Sequence, residues 1–398
     1  MVDDPTVPPE LADHPPFEPL SVELPTTPGE LREQIPACEG TAYFNTGATG
    51  PTPASLLDLL DEWNRYHKVD VLADGDAYEV GFAAYEAIRE RVAPFLGVEP
   101  SELALTESTA DGLSAVLAAL DPTEIDTAVT TDLEHPAADV PLARLRERHG
   151  VAIERVACES GRLDTDAFAR VVGETDADLV VVSSLAWTYG TRLPVAEVVA
   201  AARETDAFVL VDAVQEPGQC PVDVHEWGAD AVVGSGHKWL LGAWGSGYLT
   251  VAESALDRLH PAQVGYRSVT EPTGAYEPKP GAARFERGTT AIGPHVALAE
   301  SVRTFESLGL DTVRDEILRL TRRLVDQLPA ERVLSPLDPE TGLVTVAVPE
   351  PEATVERLRE DGLVVRDLPD PEAVRVSVHC FNTDDEVDRV AAALSAEW

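Results

Sequence analysis

The chain has 398 residues, 71 acidic side chains against 30 basic ones, a formal net charge of −41 and 44% hydrophobic residues. This length allows two domains with a substantial core, and the apolar content excludes a disordered acidic chain. The acidic balance disfavours nucleic-acid binding, because the phosphates would meet few cations.

Arginine supplies nearly all of the basic charge. Lys68, Lys238 and Lys279 are the only lysines, so 27 of the 30 basic residues are arginines. An acidic surface poor in lysine fits a cytoplasm crowded with salt, where screening acts over about 3 Å at 1 M. We therefore hypothesise a halophilic source.

The sequence shows no signs of export, membrane insertion or metal binding. The four cysteines, Cys38, Cys158, Cys220 and Cys380, form no CxxC pair, so we expect neither a disulfide framework nor a cysteine-rich zinc site. The first 20 residues lack the basic and apolar parts of a signal peptide, and no run of about 18 apolar residues occurs. We expect a cytoplasmic protein without a metal.

The predicted organisation begins with an acidic, proline-rich arm at residues 1–30 and a segment at 31–54 that packs with the C-terminal domain. Helical periodicity starts at 54–68 and 78–96, and short apolar strands then alternate with amphipathic helices. This alternation predicts an α/β fold, with a mostly parallel sheet covered on both faces in a three-layer αβα domain at 55–284. Its last part, 266–284, is rich in proline and glycine and is predicted to be a loop.

The C-terminal part has the opposite order of elements. Helical patterns at 295–309 and 313–328 precede three apolar strands, and a final helix is predicted at 384–396. Strands that follow helices indicate a smaller α+β domain, at 285–398.

Lys238 is the first candidate for chemistry. It follows an apolar strand on a turn of small residues, where α/β sheets bind ligands. Lysines are mostly solvated surface groups, and we interpret Lys68 and Lys279 in that way. A residue that must form a Schiff base, however, cannot be replaced by arginine, so a lysine kept at this turn indicates a reactive amine.

Asp212 ends another apolar strand, 26 residues before the lysine. On its own it is compatible with a helix N-cap. Together with Lys238 it matches a pyridoxal phosphate site, in which a carboxylate faces the ring nitrogen and keeps it protonated. Gln215, one turn later, could donate to the phenolic oxygen of the ring.

A phosphate site is predicted where Ser108 and Thr109 follow a strand and begin a helix, because helix N-termini attract anions. Ser235 and His237 would add donors. An ordinary N-cap explains Ser108 and Thr109 about as well. His135 follows a further strand and could lie over the ring and carry protons near neutral pH, although a structural histidine is the commoner case.

The glycines near the lysine favour no nucleotide site. Gly234 and Gly236 begin a GxGxxG pattern, but the third position is Trp239. Binding of a nicotinamide dinucleotide is therefore a weak alternative.

Several motifs occur in a recognisable order, namely YFNTGATGPTP, LTESTADGL, LEHPAAD, VDAVQ, GSGHKWLLG, RFERGTT and VRVSVHCFNTDDEVDRV. With them the chain resembles the class V aminotransferase family of fold-type-I pyridoxal phosphate enzymes. That family includes cysteine desulfurases, selenocysteine lyases and isopenicillin epimerase-like proteins. The resemblance runs from about Tyr43 to the end of the chain.

The resemblance implies a role for each matched residue. Lys238 would hold pyridoxal 5′-phosphate as a Schiff base and act as the proton-transfer base, Asp212 would pair with the ring nitrogen, and Gln215 would reach the phenolic oxygen. His135 would stack on the ring. The implied phosphate contacts are Ser108, Thr109, Ser235, His237 and Thr289.

Thr289 would come from the neighbouring subunit, so the resemblance also implies a homodimer with shared active sites. Arg375 matches the arginine that binds the substrate carboxylate, a task that suits its bidentate fork. Asn45 is also expected at the substrate.

Departures from the family pattern bear on the reaction. The loop that carries the nucleophilic cysteine of desulfurases is replaced by a short connection without cysteine before Arg375, and Cys380 lies beyond that arginine. Trp187 and Ala138 stand where many members have asparagine, so we expect a more apolar pocket.

We therefore expect a pyridoxal phosphate-dependent aminotransferase or lyase that acts on an amino-acid-type substrate. A desulfurase or selenocysteine lyase type of reaction is the alternative within the family, with protein-bound persulfide disfavoured. A catalytically idle partner protein is the alternative from another class.

Overall fold

The computed structural model describes residues 24–397. In its first half the strands are β1 (Ala42–Tyr43), β2 (Leu103–Thr106), β3 (Thr127–Thr131), β4 (Ala152–Val156), β5 (Leu179–Ser183), β6 (Phe208–Asp212), β7 (Ala231–Ser235) and β8 (Gly247–Val251). The helices are α1 (Pro28–Glu33), α2 (Ala54–Arg65), α3 (Val71–Asp74), α4 (Ala77–Phe95), α5 (Thr109–Ala119), α6 (Pro136–His149), α7 (Thr165–Thr175), α8 (Val195–Arg203) and α9 (Val224–Trp227).

The C-terminal part contains α10 (Gly293–Leu308), α11 (Leu310–Val325), β9 (Leu343–Val346), α12 (Pro351–Glu360), β10 (Leu363–Val364), β11 (Arg366–Pro369), β12 (Glu372–Ser377) and α13 (Asp384–Ser395). Strands β11, β12 and β9 form an antiparallel sheet. Helices and strands here share one apolar cluster, which includes Leu324, Val344, Val376 and Val390.

The large sheet has seven strands in the order β2-β8-β7-β6-β5-β3-β4. All neighbours are parallel except β8, which is antiparallel to β2 and β7. Successive strand residues enter different cores: Val209 and Val211 pack on one face of the sheet, while Phe208 and Leu210 pack on the other. This alternation places helices on both faces and confirms the predicted α/β fold with a mostly parallel sheet.

The segment before the large domain contacts the small domain. Strand β1 pairs in parallel with β10, and Arg32 forms an ion pair with Glu386 at 2.6 Å. Phe44 is fully buried in the small domain's cluster. The part of the predicted arm at 1–23 lies outside the described residues, and within 24–30 the chain already begins α1 at Pro28.

Two elements of the structure differ from their predictions. Helix α2 ends at Arg65, and residues Tyr66–Asp70 continue it as a π-helical turn. Strand β4 lies at the edge of the sheet and exposes Ala152, Glu154 and Arg155, so it is not apolar on both faces as the inner strands are. In residues 24–397 no helix is long and apolar enough to span a bilayer, and no three histidine, cysteine or carboxylate side chains of that range are placed to hold a metal.

Candidate active site

One cavity collects the side chains that follow the carboxyl ends of the strands. Parallel strands end at the same edge of a sheet, so residues distant in sequence meet there. Of the residues predicted for the site, those that line the cavity are Ser108, Thr109, His135, Asp212, Gln215, Ser235, His237, Lys238 and Arg375. The segment around Gly47 and the strand pair β11–β12 close the cavity from the other side.

Lys238 lies on the turn between β7 and β8 and is partly buried. Burial of the amine lowers the pKa of Lys238 to about 8, although the charge of Asp212 opposes this shift. The turn is held by the N-terminal segment, because Gly50 donates its amide to the carbonyl of His237 at 2.7 Å. A Cβ on Gly50 would lie 2.1 Å from the carbonyl oxygen of Lys238, so only glycine permits this contact.

Asp212 is buried at the end of β6 and accepts a hydrogen bond from the Val214 amide at 3.0 Å. Burial raises the pKa of this carboxyl, while the Val214 amide and the Lys238 charge act in the opposite direction. No ion pair to Asp212 occurs among residues 24–397. A cationic group that enters the cavity would therefore gain a buried carboxylate as its partner.

Gln215 is oriented by two hydrogen bonds. Its Oε1 accepts from the indole Nε1 of Trp239 at 2.7 Å, and its Nε2 donates to the carbonyl of Gly47 at 3.0 Å. The acceptor end is thus turned away from the cavity, and one N–H of the amide is left for a ligand. Trp239 in turn stacks on the buried His379 of the small domain.

Thr109 and Ser235 meet at the start of α5. The Thr109 amide donates to Ser235 Oγ at 2.8 Å, and the two hydroxyls lie 2.7 Å apart. Ser108 is the N-cap of α5, since its hydroxyl accepts from the Asp111 amide. Ser108 therefore has the capping role that was the alternative interpretation for this serine. Thr109, Ser235 and the N-terminus of the helix are left as donors for an anion.

His135 is the N-cap of α6, and its Nδ1 accepts from the Ala137 amide at 3.1 Å. Burial lowers the pKa of His135 to about 4, and the Lys238 charge contributes. At neutral pH the ring is therefore neutral, with its proton on Nε2. This state favours stacking over the proton transfer near neutral pH that we predicted. Its edge contacts Trp187, with ring centroids 5.1 Å apart.

His237 lines the same wall as Lys238. Burial lowers the pKa of His237 to about 4. Its ring meets the exposed indole of Trp244 edge-on, with centroids 5.9 Å apart.

Arg375 is fully buried opposite the lysine. Its Nη1 donates to the carbonyl of Trp187 at 2.9 Å, whereas Nε and Nη2 have no hydrogen-bond partner within residues 24–397. Burial lowers the pKa of Arg375 to about 9, with a contribution from Arg366, so the guanidinium is still charged at neutral pH. The two free nitrogens form the side-on edge that binds a carboxylate through two hydrogen bonds.

Sequence reasoning missed Arg366, which also lines the cavity. Arg366 pairs directly with Arg375 across the antiparallel strands β11 and β12. Both guanidinium carbons lie near the face of Trp187, at 6.0 and 5.8 Å from its ring centroid. No motif marks Arg366, because its place in the cavity depends on the pairing of two strands.

Glu134 was also missed, although it lies three residues after the end of β3 and next to His135. The carboxylate is buried and accepts from the hydroxyls of Thr131 at 2.6 Å and Ser183 at 2.7 Å. Burial raises the pKa of Glu134 from 4.5 to about 7, the two hydroxyls oppose this rise, and the charge of Asp212 adds to it. Glu134 is therefore a second buried carboxyl near the cavity, in addition to Asp212, which lines it.

The raised pKa of Glu134 predicts a pH-dependent stability. Between pH 4.5 and about 7 the folded protein binds a proton at Glu134 that the unfolded chain has released, so stability is lost as pH rises through this window. Relative to Glu134→Gln, we expect the wild-type free energy of unfolding to fall by about 3 kcal/mol across it and to change little above. Urea titrations of both proteins in one salt concentration, from about pH 4.5 to about pH 8, measure the difference. A difference in the free energy of unfolding between the two proteins that stays constant with pH would contradict the raised pKa of Glu134.

Two predicted residues do not line the cavity. Thr289 is exposed and donates its amide to the hydroxyl of Tyr266 at 3.0 Å, next to a second depression lined by Tyr78, Phe82 and Tyr85. Asn45 forms a β-bridge with Ser377, and its buried Oδ1 has no partner in the protein.

None of the four cysteines lines the cavity, and all four are within the described residues. Burial raises the pKa of each thiol: to about 11 for Cys38, about 12 for Cys158 and Cys220, and further for Cys380. The thiolate is the nucleophilic form, so these cysteines are poorly suited to attack a substrate.

Known proteins resemble this chain in sequence and in fold. The family model described as aminotransferase class-V matches residues 42–390. A probable cysteine desulfurase from Pyrococcus abyssi is 29% identical over 92% of this chain and 96% of its own length. Isopenicillin N epimerase from Streptomyces clavuligerus is 30% identical over 89% of this chain and 94% of its own length.

Two solved structures of C-DES have the same fold at 26% identity. One, with a TM-score of 0.84, covers 92% of this chain and 99% of its own and is a mutant with glycine covalently linked to the pyridoxal phosphate cofactor. The other, with a TM-score of 0.83, covers 91% and 99% and is described as a cystine C–S lyase in complex with its reaction product cysteine persulfide.

Proposed function

Because the chain belongs to the class-V aminotransferase family, it is a pyridoxal phosphate-dependent enzyme, and we propose that it removes the α-proton of an amino acid held between Lys238 and Arg375. We propose transamination or β-elimination as the outcome, without a protein-bound persulfide.

One observation carries the proposal. A lysine with a lowered pKa and a buried guanidinium with a free side-on edge line the same cavity. A buried charge without a counter-ion costs stability, so a protein keeps one where a ligand supplies the opposite charge. The carboxylate of an amino acid supplies that charge.

The residues present fit pyridoxal phosphate. The amides and hydroxyls at the start of α5 with Ser235 suit a phosphate, and Gln215 keeps one N–H for an oxygen acceptor. Asp212 is a buried carboxylate that forms no ion pair within residues 24–397. When bound, the cofactor supplies an aldehyde that condenses with amines and a ring that withdraws electrons from the α-carbon.

The chain's own residues would divide the remaining tasks. Arg375 fixes the substrate carboxylate and so orients the α C–H bond. Lys238, whose pKa lies at about 8, accepts the α-proton at Nζ and returns it. His135, neutral at working pH, would stack on the ring of the bound cofactor and would not act as a base.

The choice of reaction follows from the missing thiol. The relatives include proteins named cysteine desulfurase and one described as a cystine C–S lyase. Since no cysteine reaches the cavity, a sulfur product would leave with a small molecule and not on the protein. A desulfurase that forms a protein persulfide is thereby disfavoured.

We further propose a homodimer. Thr289 is exposed and does not line the cavity of its own chain. It forms a hydrogen bond with the exposed Tyr266, and it lines the same depression as the exposed Tyr78. A second copy that covers this surface would bring Thr289 to the partner's phosphate site. The cytoplasmic location and the halophilic source stay predictions from the sequence.

A single-turnover experiment tests the reaction. The holoenzyme is mixed in turn with alanine, aspartate, cysteine and cystine, and keto acid, sulfide and the intact protein mass are followed. We expect keto acid from at least one amino acid and no gain of sulfur on the protein. Cys380→Ser should keep turnover within about twofold, because this buried thiol does not line the cavity. A protein mass raised by one sulfur would instead support the desulfurase alternative.

A further inference from the structure

The pair of arginines in the cavity carries more positive charge than one amino-acid carboxylate can balance. Arg366 and Arg375 are direct neighbours across β11 and β12, so their side chains leave the same face of the sheet. Among residues 24–397, neither guanidinium has a carboxylate within ion-pair distance. Like charges directly opposite each other destabilise a sheet, and here the protein itself offers no compensation.

The charge of Arg366 acts inside the cavity. It contributes to the lowered pKa of Lys238, of His135 and of Arg375, which line the same space. Its side chain is only partly buried, whereas Arg375 is fully buried. Arg366 thus lies further from the protein interior than the residue that is expected to hold the α-carboxylate.

Arg375 alone has the hydrogen-bond donors needed to bind the α-carboxylate, so Arg366 is not required for that contact. Nη1 of Arg375 is used by the carbonyl of Trp187, and the free Nε and Nη2 edge matches both oxygens of one carboxylate. One carboxylate therefore satisfies Arg375 completely and balances one charge. The second guanidinium is then left without an ion-pair partner among residues 24–397, so it is available to a further anion.

Trp187 forms the surface between the two arginines. Its ring centroid is within about 6 Å of both guanidinium carbons, which is the range of cation–π contact. The indole limits the positions that Arg366 can adopt and forms an apolar wall for the methylene groups of a substrate side chain.

We propose that Arg366 and Trp187 form a subsite for a second acidic group, so that the enzyme prefers amino acids whose side chain ends in a carboxylate or sulfinate. This inference rests on the proposed function, since it assumes that Arg375 holds the α-carboxylate. The side-chain acid pairs with Arg366, and the intervening methylenes lie against Trp187.

Pairs of amino acids that differ only in charge test the subsite. The holoenzyme is titrated with aspartate and asparagine, and with glutamate and glutamine, and the half-saturation concentration is read from the change in cofactor absorbance. For at least one pair we expect the acid to bind about tenfold or more tightly than its amide. In Arg366→Gln we expect that preference to fall to about twofold or less, because aspartate or glutamate binding weakens by a larger factor than alanine binding.

Arg359→Gln is the matched control, because Arg359 is an exposed arginine on α12. This substitution removes the same charge as Arg366→Gln, but outside the cavity. It should keep the wild-type preference. Two results would overturn the subsite: equal binding of acid and amide by the wild type, or an Arg366→Gln variant that weakens alanine and aspartate by the same factor. Failure of the proposed function is a distinct outcome, in which no amino acid changes the cofactor absorbance of any variant.

Discussion

Replacement of Lys238 by alanine is expected to reduce turnover of the preferred amino acid by about a thousandfold or more. The amine of Lys238 has a pKa of about 8, which permits proton exchange near neutral pH. His135 and His237 are already neutral, with pKa values of about 4, and Arg375 stays charged. Alanine removes this base while the other cavity residues keep their contacts, and steady-state assays measure the loss.

Lys279→Ala is the control for this variant, because Lys279 is partly exposed and lines neither the cavity nor the depression beside Thr289. Its turnover should equal that of the wild type. An added primary amine such as methylamine should restore part of the activity of Lys238→Ala, since the missing group is a base of the same chemistry. A Lys238→Ala enzyme that retains more than about a tenth of wild-type turnover would contradict the role of this lysine.

Arg375→Met is expected to lower kcat/KM by about 100-fold or more and at the same time to stabilise the protein. The functional loss follows because methionine cannot bind a carboxylate. The gain in stability follows because the variant removes a fully buried charge whose Nε and Nη2 have no hydrogen-bond partner in the described part of the chain. The variant also loses the hydrogen bond to the carbonyl of Trp187. After allowance for that loss, we expect the free energy of unfolding to rise by about 1 kcal/mol or more.

Urea unfolding and steady-state kinetics separate the two effects. Arg375→Lys keeps the charge but loses the side-on fork, so we expect low activity without the gain in stability. Arg359→Met controls for the general effect of replacing an arginine by methionine. An Arg375→Met protein less stable than the wild type would show that the guanidinium has a partner in the protein.

The architecture was predictable because the strand pattern is strong. Valine-rich runs that end in Asp212 or lead to Lys238 are the inner strands of a parallel sheet, and such strands place the residues that follow them at one edge. The shortage of lysine added a second, independent signal for Lys238. Strand β4 was less predictable, because an edge strand exposes residues that an inner strand buries.

Contacts between distant parts of the chain could not be predicted. Arg366 lies in the cavity because its strand pairs with the strand of Arg375. The hydrogen bond between Thr109 and Ser235 joins residues that are far apart in sequence. Glu134 is the exception, since an acidic residue between a buried strand and a candidate histidine was a visible signal. The orientation of Gln215 by Trp239 depends on side-chain positions that no motif carries.

The central claim is that Lys238 carries the cofactor, and the scarcity of lysine makes a direct measurement possible. Reduction of the holoenzyme with borohydride fixes pyridoxal phosphate to the amine that holds it, and peptide mass spectrometry then locates the label among three lysines. We expect the label on the peptide that contains Lys238 and on neither of the other two lysine peptides. A label on Lys68 or Lys279, or no labelled lysine in a holoenzyme that turns over, would contradict it.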